Sequence, residues 1–200
     1  MVWLLGLLCA LAFCLQSAHG TEIRANGTFP GRQYNSIIGV TNGGPWGSWT
    51  WIDMCPEGSY AKGYSVKVGK HVGAGDDTSL NGIRLYCTSQ KGVAYTIESS
   101  VGEFGDWSPV TWCPAGNLKS FQLKVEEDQG ALNDTAANNI KFRSTAGAII
   151  EGPGGDFGQY GGWSSNCAIG GICGIETKVE PYGGAFMDDT SLNDVRLYCC

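Results

Sequence analysis

The chain has 200 residues, with 19 Asp and Glu against 13 Lys and Arg, and no basic stripe; its net charge of −6 excludes nucleic acid and anionic membrane surfaces as partners. Its 31 Gly and scarcity of helix-former runs require frequent turns and short strands, so the composition reads all-β. No stretch is apolar for long enough to insert in a bilayer as a helix.

Residues 1–20 carry no Asp, Glu, Lys or Arg. Residues 2–15 form an apolar run of signal-peptide length, closed by the small-x-small pattern Ala18-His19-Gly20, although the usual positive n-region is missing. The expectation is a signal peptide over 1–20 and a secreted, single-domain monomer over 21–200, long enough to bury one core. Asn26-Gly27-Thr28 and Asn133-Asp134-Thr135 are glycosylation sequons, so Asn26 and Asn133 are candidate glycan sites.

Beyond a strand at 36–40, the chain repeats itself three times. Each copy opens with a Gly-rich aromatic segment, in which a Gly stands two residues ahead of Trp49, Trp107 and Trp163. A period-2 strand follows: Tyr64, Val66 and Val68; then Phe121, Leu123 and Val125; then Ile175, Thr177 and Val179. Next come Asp76-Asp77-Thr78-Ser79-Leu80-Asn81, its weaker copy Asn133-Asp134-Thr135, and Asp188-Asp189-Thr190-Ser191-Leu192-Asn193, spaced by about 56 residues. Closing strands place Ile83, Leu85 and Cys87, then Ile140, Phe142 and Ser144, then Val195, Leu197 and Cys199, each on one face. Final strands at 94–99 and 146–150 complete two copies, and 21–40 supplies one to the last. Repeats of roughly 41–90, 91–145 and 146–200 thus read as four-stranded antiparallel sheets. One such sheet cannot bury its apolar face alone, so three should pack around a common axis.

Cys9 and Cys14 lie in the leader, leaving seven cysteines in a secreted context. The repeat offers one Cys upstream and one on the closing strand, which pairs Cys55 with Cys87 and Cys167 with Cys199. Adjacent strand residues face opposite ways, so Cys200 should reach Cys173. The partner position of Cys113 holds Ser144, which makes Cys113 a free thiol, either buried and inert or bridged to another chain.

The Gly-x-Trp copies, Cys55-Pro56-Glu57-Gly58 and Cys113-Pro114-Ala115-Gly116, the Asp-Asp-Thr-x-Leu-Asn signatures and the closing Leu197-Tyr198-Cys199-Cys200 resemble the vitelline membrane outer layer protein I family. The resemblance covers essentially all of 21–200. It implies a β-prism of three Greek-key sheets, secretion into an extracellular coat or mucous fluid, and affinity for carbohydrate, with glycans or mucin-type glycoproteins as partners. Ser144 departs from the family pattern, which closes a disulfide with Cys113.

Two residue sets are candidate carbohydrate contacts. Asp77, Asp134 and Asp189 have the chemistry of glycosidase carboxylates, yet Asp-Thr pairs are also turn formers, and a catalytic pair has no need of three copies. Trp49, Trp107 and Trp163 suit stacking on pyranose rings, or filling core corners. His71 is the sole histidine after the leader, no EF-hand loop, phosphate loop or nucleophile elbow occurs, and no metal or cofactor is expected. The reading is a structural and glycan-binding protein; the alternative is weak glycosyl-transfer or lysozyme-like activity on N-acetylglucosamine oligomers.

Overall fold

The computed structural model describes residues 23–24, 32–69, 80–92, 94–126, 137–181 and 190–200. The signal-peptide reading, both sequons, His71 and the carboxylates Asp77, Asp134 and Asp189 lie outside the described residues. The first strands are β1 (Ile23–Arg24), β2 (Ser36–Ile38), β3 (Ser48–Trp49), β4 (Asp53–Met54) and β5 (Ser59–Val68). Then come β6 (Leu80–Ser89), β7 (Ala94–Glu98), β8 (Asp106–Trp107), β9 (Thr111–Trp112), β10 (Leu118–Val125) and β11 (Ala137–Ser144). The last are β12 (Ile149–Glu151), β13 (Gln159–Tyr160), β14 (Ile172–Val179) and β15 (Leu192–Cys199).

Each sheet is built on one long hairpin. Sheet 1 has the order β1-β7-β6-β5-β8 with β9 also on β5, sheet 2 the order β12-β11-β10-β13, and sheet 3 the order β2-β15-β14-β3 with β4 also on β14. The path of four strands common to all three is antiparallel; β1 adds a parallel edge to sheet 1. The hairpins bulge at equivalent places, between Lys67 and Val68, Lys124 and Val125, and Lys178 and Val179, which strengthens the twist where each sheet meets its neighbour. Sheet 3 joins strands from both ends of the chain and so closes the prism.

One boundary differs from the sequence reading. The Gly-rich aromatic segment does not join the strands that follow it; it is the edge strand of another sheet. Trp107 pairs with Lys67 of sheet 1, and Trp49 pairs with Lys178 of sheet 3. The sheets therefore run past the repeat bounds 41–90 and 91–145: sheet 1 takes β7, β8 and β9 from beyond residue 90, and sheet 2 takes β12 and β13 from beyond residue 145. Periodicity reveals which face of a strand is apolar but not which neighbour it pairs with, and the Greek-key crossover decides the latter.

Alternate residues of the long strands face a shared interior. Tyr64, Val66, Ile83 and Leu85 of sheet 1 meet Phe121, Leu123, Ile140 and Phe142 of sheet 2 and Ile175, Val195 and Leu197 of sheet 3, all fully buried in one cluster. The Tyr64 and Phe142 rings lie 4.7 Å apart, and the Tyr64 hydroxyl donates to the Ile140 carbonyl at 3.0 Å, which satisfies a polar atom that burial would otherwise penalise.

The disulfides fall at one end of the prism. Cys55 follows β4 of sheet 3, its amide bonded to Cys173, and is joined to Cys87 of sheet 1. Cys167, its amide bonded to Lys119 of sheet 2, is joined to Cys199 of sheet 3. Cys173–Cys200 is local to sheet 3. Cys113, bonded through its amide to Lys62 of sheet 1, occupies the equivalent place at the seam with sheet 2 and is a free thiol whose sulfur contacts the Ala115 carbonyl at 2.9 Å. Ser144, where a disulfide partner would stand, accepts a hydrogen bond from the Ala148 amide at 3.1 Å.

Candidate functional site: the loop pole of the prism

The opposite end is built by three copies of one loop. In each, a glycine with positive φ starts the edge strand: Gly47 at 75°, Gly105 at 84° and Gly158 at 75°. A Cβ at these positions would sit within 2.5 Å of the Val179, Val68 and Val125 carbonyl groups, so both the conformation and the space demand glycine. The preceding residue is thrust outward. These residues are Trp46, Phe104 and Phe157, at 51%, 41% and 42% exposure, three aromatic tips in equivalent positions.

A lysine from each long strand anchors its loop. Lys67 Nζ donates to the Gly102 and Glu103 carbonyls at 2.7 and 3.0 Å, Lys124 to those of Gly155 and Asp156 at 3.3 and 2.6 Å, and Lys178 to those of Gly44 and Pro45 at 3.2 and 2.5 Å. The loops are bonded to the hairpins as well: the amides of Gly102, Gly155 and Gly44 donate to the carbonyls of Asn81, Asn138 and Asn193 at 2.6, 2.6 and 2.7 Å. The aromatic tips are thus carried on braced loops, and the ammonium groups are spent on carbonyls.

The loops overhang the seams and form clefts. One, of about 260 Å³, lies between loop 100–104 of sheet 1 and the edge of sheet 3; Phe104, Glu103, Ser48, Thr50, Glu180 and Ser191 are among its lining residues. A second, of about 650 Å³, lies between loop 42–45 of sheet 3 and sheet 2, with Glu126, Gln159, Tyr160 and a glycine-rich wall. They are equivalent under the internal symmetry: Ser48 and Gln159 occupy matching edge positions, opposite Val179 and Val125. Beneath the second, Asp194 packs against Gly43; burial raises its carboxyl above the usual range, opposed by a hydrogen bond from the Val195 amide and by Lys178 and Arg196.

The sequence-nominated tryptophans lie elsewhere. Trp49 and Trp107 are half-buried on outer sheet faces, each beneath a guanidinium, with Arg196 3.8 Å and Arg84 4.1 Å from the ring centres. They fill no core corner. Tyr160, under Lys141 at 3.8 Å, is the structural equivalent in sheet 2, because it follows Gly158 as Trp49 follows Gly47; Trp163 lies three residues on, under Arg143 at 4.1 Å. None of Trp49, Trp107 and Trp163 lines either cleft. The residues missed from sequence are Trp46, Phe104 and Phe157, whose signal was an aromatic immediately before a glycine in every copy. Asp77, Asp134 and Asp189 fall in sequence between β5 and β6, β10 and β11, and β14 and β15, outside the described residues. Among the described residues, no cluster of His, Cys, Asp and Glu fit to hold a metal ion occurs.

The family model for vitelline membrane outer layer protein I matches residues 36–200. The chain belongs to that family. It is 48% identical over 173 residues to the mouse vitelline membrane outer layer protein 1 homolog, covering 84% of this chain and 85% of the relative. The human homolog is 46% identical over 171 residues, with 84% of each covered. Among solved structures, the Calsepa lectin in complex with a biantennary N-glycan matches with a TM-score of 0.52 at 16% identity, over 84% of this chain and 97% of the lectin. The artocarpin–mannotriose complex matches with a TM-score of 0.51 at 15% identity, over 84% and 98%. At such identities the likeness establishes the fold alone: three curled four-stranded sheets arranged as in the β-prism lectins.

Proposed function

We propose that this protein is a secreted, non-catalytic binder of carbohydrate or glycoprotein in an extracellular coat or mucous fluid, and that the loop pole is its binding end. The observation that carries this reading is the recurrence of one braced, exposed aromatic tip on every sheet, Trp46, Phe104 and Phe157, at the same end as two inter-seam clefts that carry hydroxyls and carboxylates, one of them lined by Phe104. Aromatic faces hold the apolar side of a pyranose while hydroxyl and carboxylate groups take its hydroxyls, and concave sites of this composition are where ligands bind. Membership of the family and the lectin-like fold support the same reading, and three disulfides suit an oxidising, extracellular setting. Asp77, Asp134 and Asp189 belong to this proposal as further acceptors, and Asn26 and Asn133 as glycan attachment points.

The test is titration of the chain with chito-oligosaccharides and mucin glycans, followed by tryptophan fluorescence, with product analysis of the same mixtures. Saturable change without altered chain lengths is expected. New oligosaccharide lengths would establish glycosyl transfer instead, and silence in both would leave a coat protein acting through protein contacts.

A further inference from the structure

The two clefts are equivalent in position but not in content. The edge strand contributes Ser48 and Thr50 to the sheet 1–sheet 3 cleft, and Gln159, Tyr160 and Gly161 to the sheet 2–sheet 3 cleft. Glycine at 161, matching Thr50 in the first, makes room for the Asn42 side chain, which packs on it and donates to the Leu123 carbonyl at 3.0 Å. The larger space falls within the roughly 300–1,000 Å³ range of ligand sites and the smaller just below it. Every charged side chain that lines either cleft is a carboxylate: Glu103 and Glu180 in one, Glu126 in the other. No lysine or arginine lines either cleft; Lys67 and Lys178 direct their ammonium groups to the loop carbonyls.

Resting on the carbohydrate-binding reading, we propose that each chain carries two unlike saccharide sites, one per cleft, and selects uncharged sugars over anionic ones. The sheet 2–sheet 3 cleft takes an oligosaccharide and the sheet 1–sheet 3 cleft a terminal residue. Since the clefts lie at different seams, a single chain joins two glycans without oligomerising, and effective concentration makes its hold on branched glycans tighter than either site alone. Sialylated or sulfated glycans meet like charge in both clefts, a repulsion that acts as discrimination.

The experiment blocks one cleft at a time. Ser48 and Gln159 are exposed on short edge strands, so Ser48→Trp and Gln159→Trp plug a cleft without entering the core. Calorimetric titration with chitotriose and with mannotriose, and agglutination of beads bearing either sugar, are read for the wild type, both variants and the double variant. The expected result is about two sites in the wild type, one in each variant with agglutination lost, none in the double variant, and at least tenfold weaker binding of sialyllactose. Should a tryptophan variant fail to fold, Phe104→Ser and Tyr160→Ser each weaken one site about tenfold and leave the other. A single site in the wild type, unchanged binding in the double variant, or equal affinity for sialyllactose overturns the inference while leaving carbohydrate binding intact. Wild type that binds neither sugar overturns both.

Discussion

The seam between sheets 3 and 1 and the seam between sheets 1 and 2 occupy equivalent places in the repeat, yet they are held by different means. The first is covalent and polar. Cys55–Cys87 closes its lower end. Above it, the Asp53 carboxylate accepts the Met54 and Glu98 amides at 2.9 and 3.0 Å, while Thr50, Ser99 and Thr177 exchange hydroxyl and backbone bonds across the gap. The second seam has Ser144 in place of a cysteine and relies on Tyr64, whose ring packs on Phe142 and whose hydroxyl reaches Ile140. One repeat geometry therefore tolerates either a staple or a well-filled core corner.

The largest expected effect is at the unstapled seam. Tyr64→Ala empties the corner and orphans a carbonyl, with an expected loss of about 4 kcal/mol in chemical denaturation. Removing the staple opposite, by Cys55→Ser with Cys87→Ser, is expected to cost about 3 kcal/mol, since the loop closed is long. A thermal melt in which the disulfide variant lost more than Tyr64→Ala would reverse the ranking of the two seams.

The stapled seam also contains a pH dependence. Burial pushes the Asp53 carboxyl up to about 6, against the two amide bonds that favour its anion. A carboxyl whose folded value exceeds its unfolded one binds its proton more readily in the native state. Its contribution is thus fully present below about pH 4 and is lost as pH rises through 6. Stability should fall by on the order of 2 kcal/mol between pH 4 and 7, and Asp53→Asn should flatten that slope; a slope unchanged in the variant would assign the dependence to another group.

The smallest effect tests the equivalence itself. Ser144→Cys places a thiol opposite Cys113, at a position whose counterparts span Cα distances of 5.7 and 5.4 Å. Oxidised variant should lose all free thiol in a spectroscopic titration and gain about 1–2 kcal/mol, less than loop entropy alone provides. Persistence of two titratable thiols would show that the seams differ in geometry as well as in chemistry.

The all-β class, the long strands and their apolar faces were legible in the sequence because period-2 alternation is a local property. Tyr64, Val66, Ile83 and Leu85 sit where that alternation puts them. The edge strands were not legible: two residues of pairing, as at Trp49 or Trp107, carry too little pattern to name their neighbour. The aromatic tips lie three residues before Trp49 and Trp107 and six before Trp163, and they escaped the sequence pattern for a related reason. Matching copies by tryptophan identity selected Trp163, whereas matching by the positive-φ glycine selects Tyr160 and, one residue before that glycine, the tips Trp46, Phe104 and Phe157. Backbone conformation is what the repeat preserves, and side-chain identity is what it varies.

The most direct test of the loop pole as the binding end is amide chemical-shift mapping of the chain titrated with chitotriose and with mannotriose. Shifts confined to 42–48, 100–104 and 157–161, with the disulfide end and the outer faces around Trp49 and Trp107 unmoved, are the expected result. Shifts centred on those outer faces or on the disulfide end would contradict it.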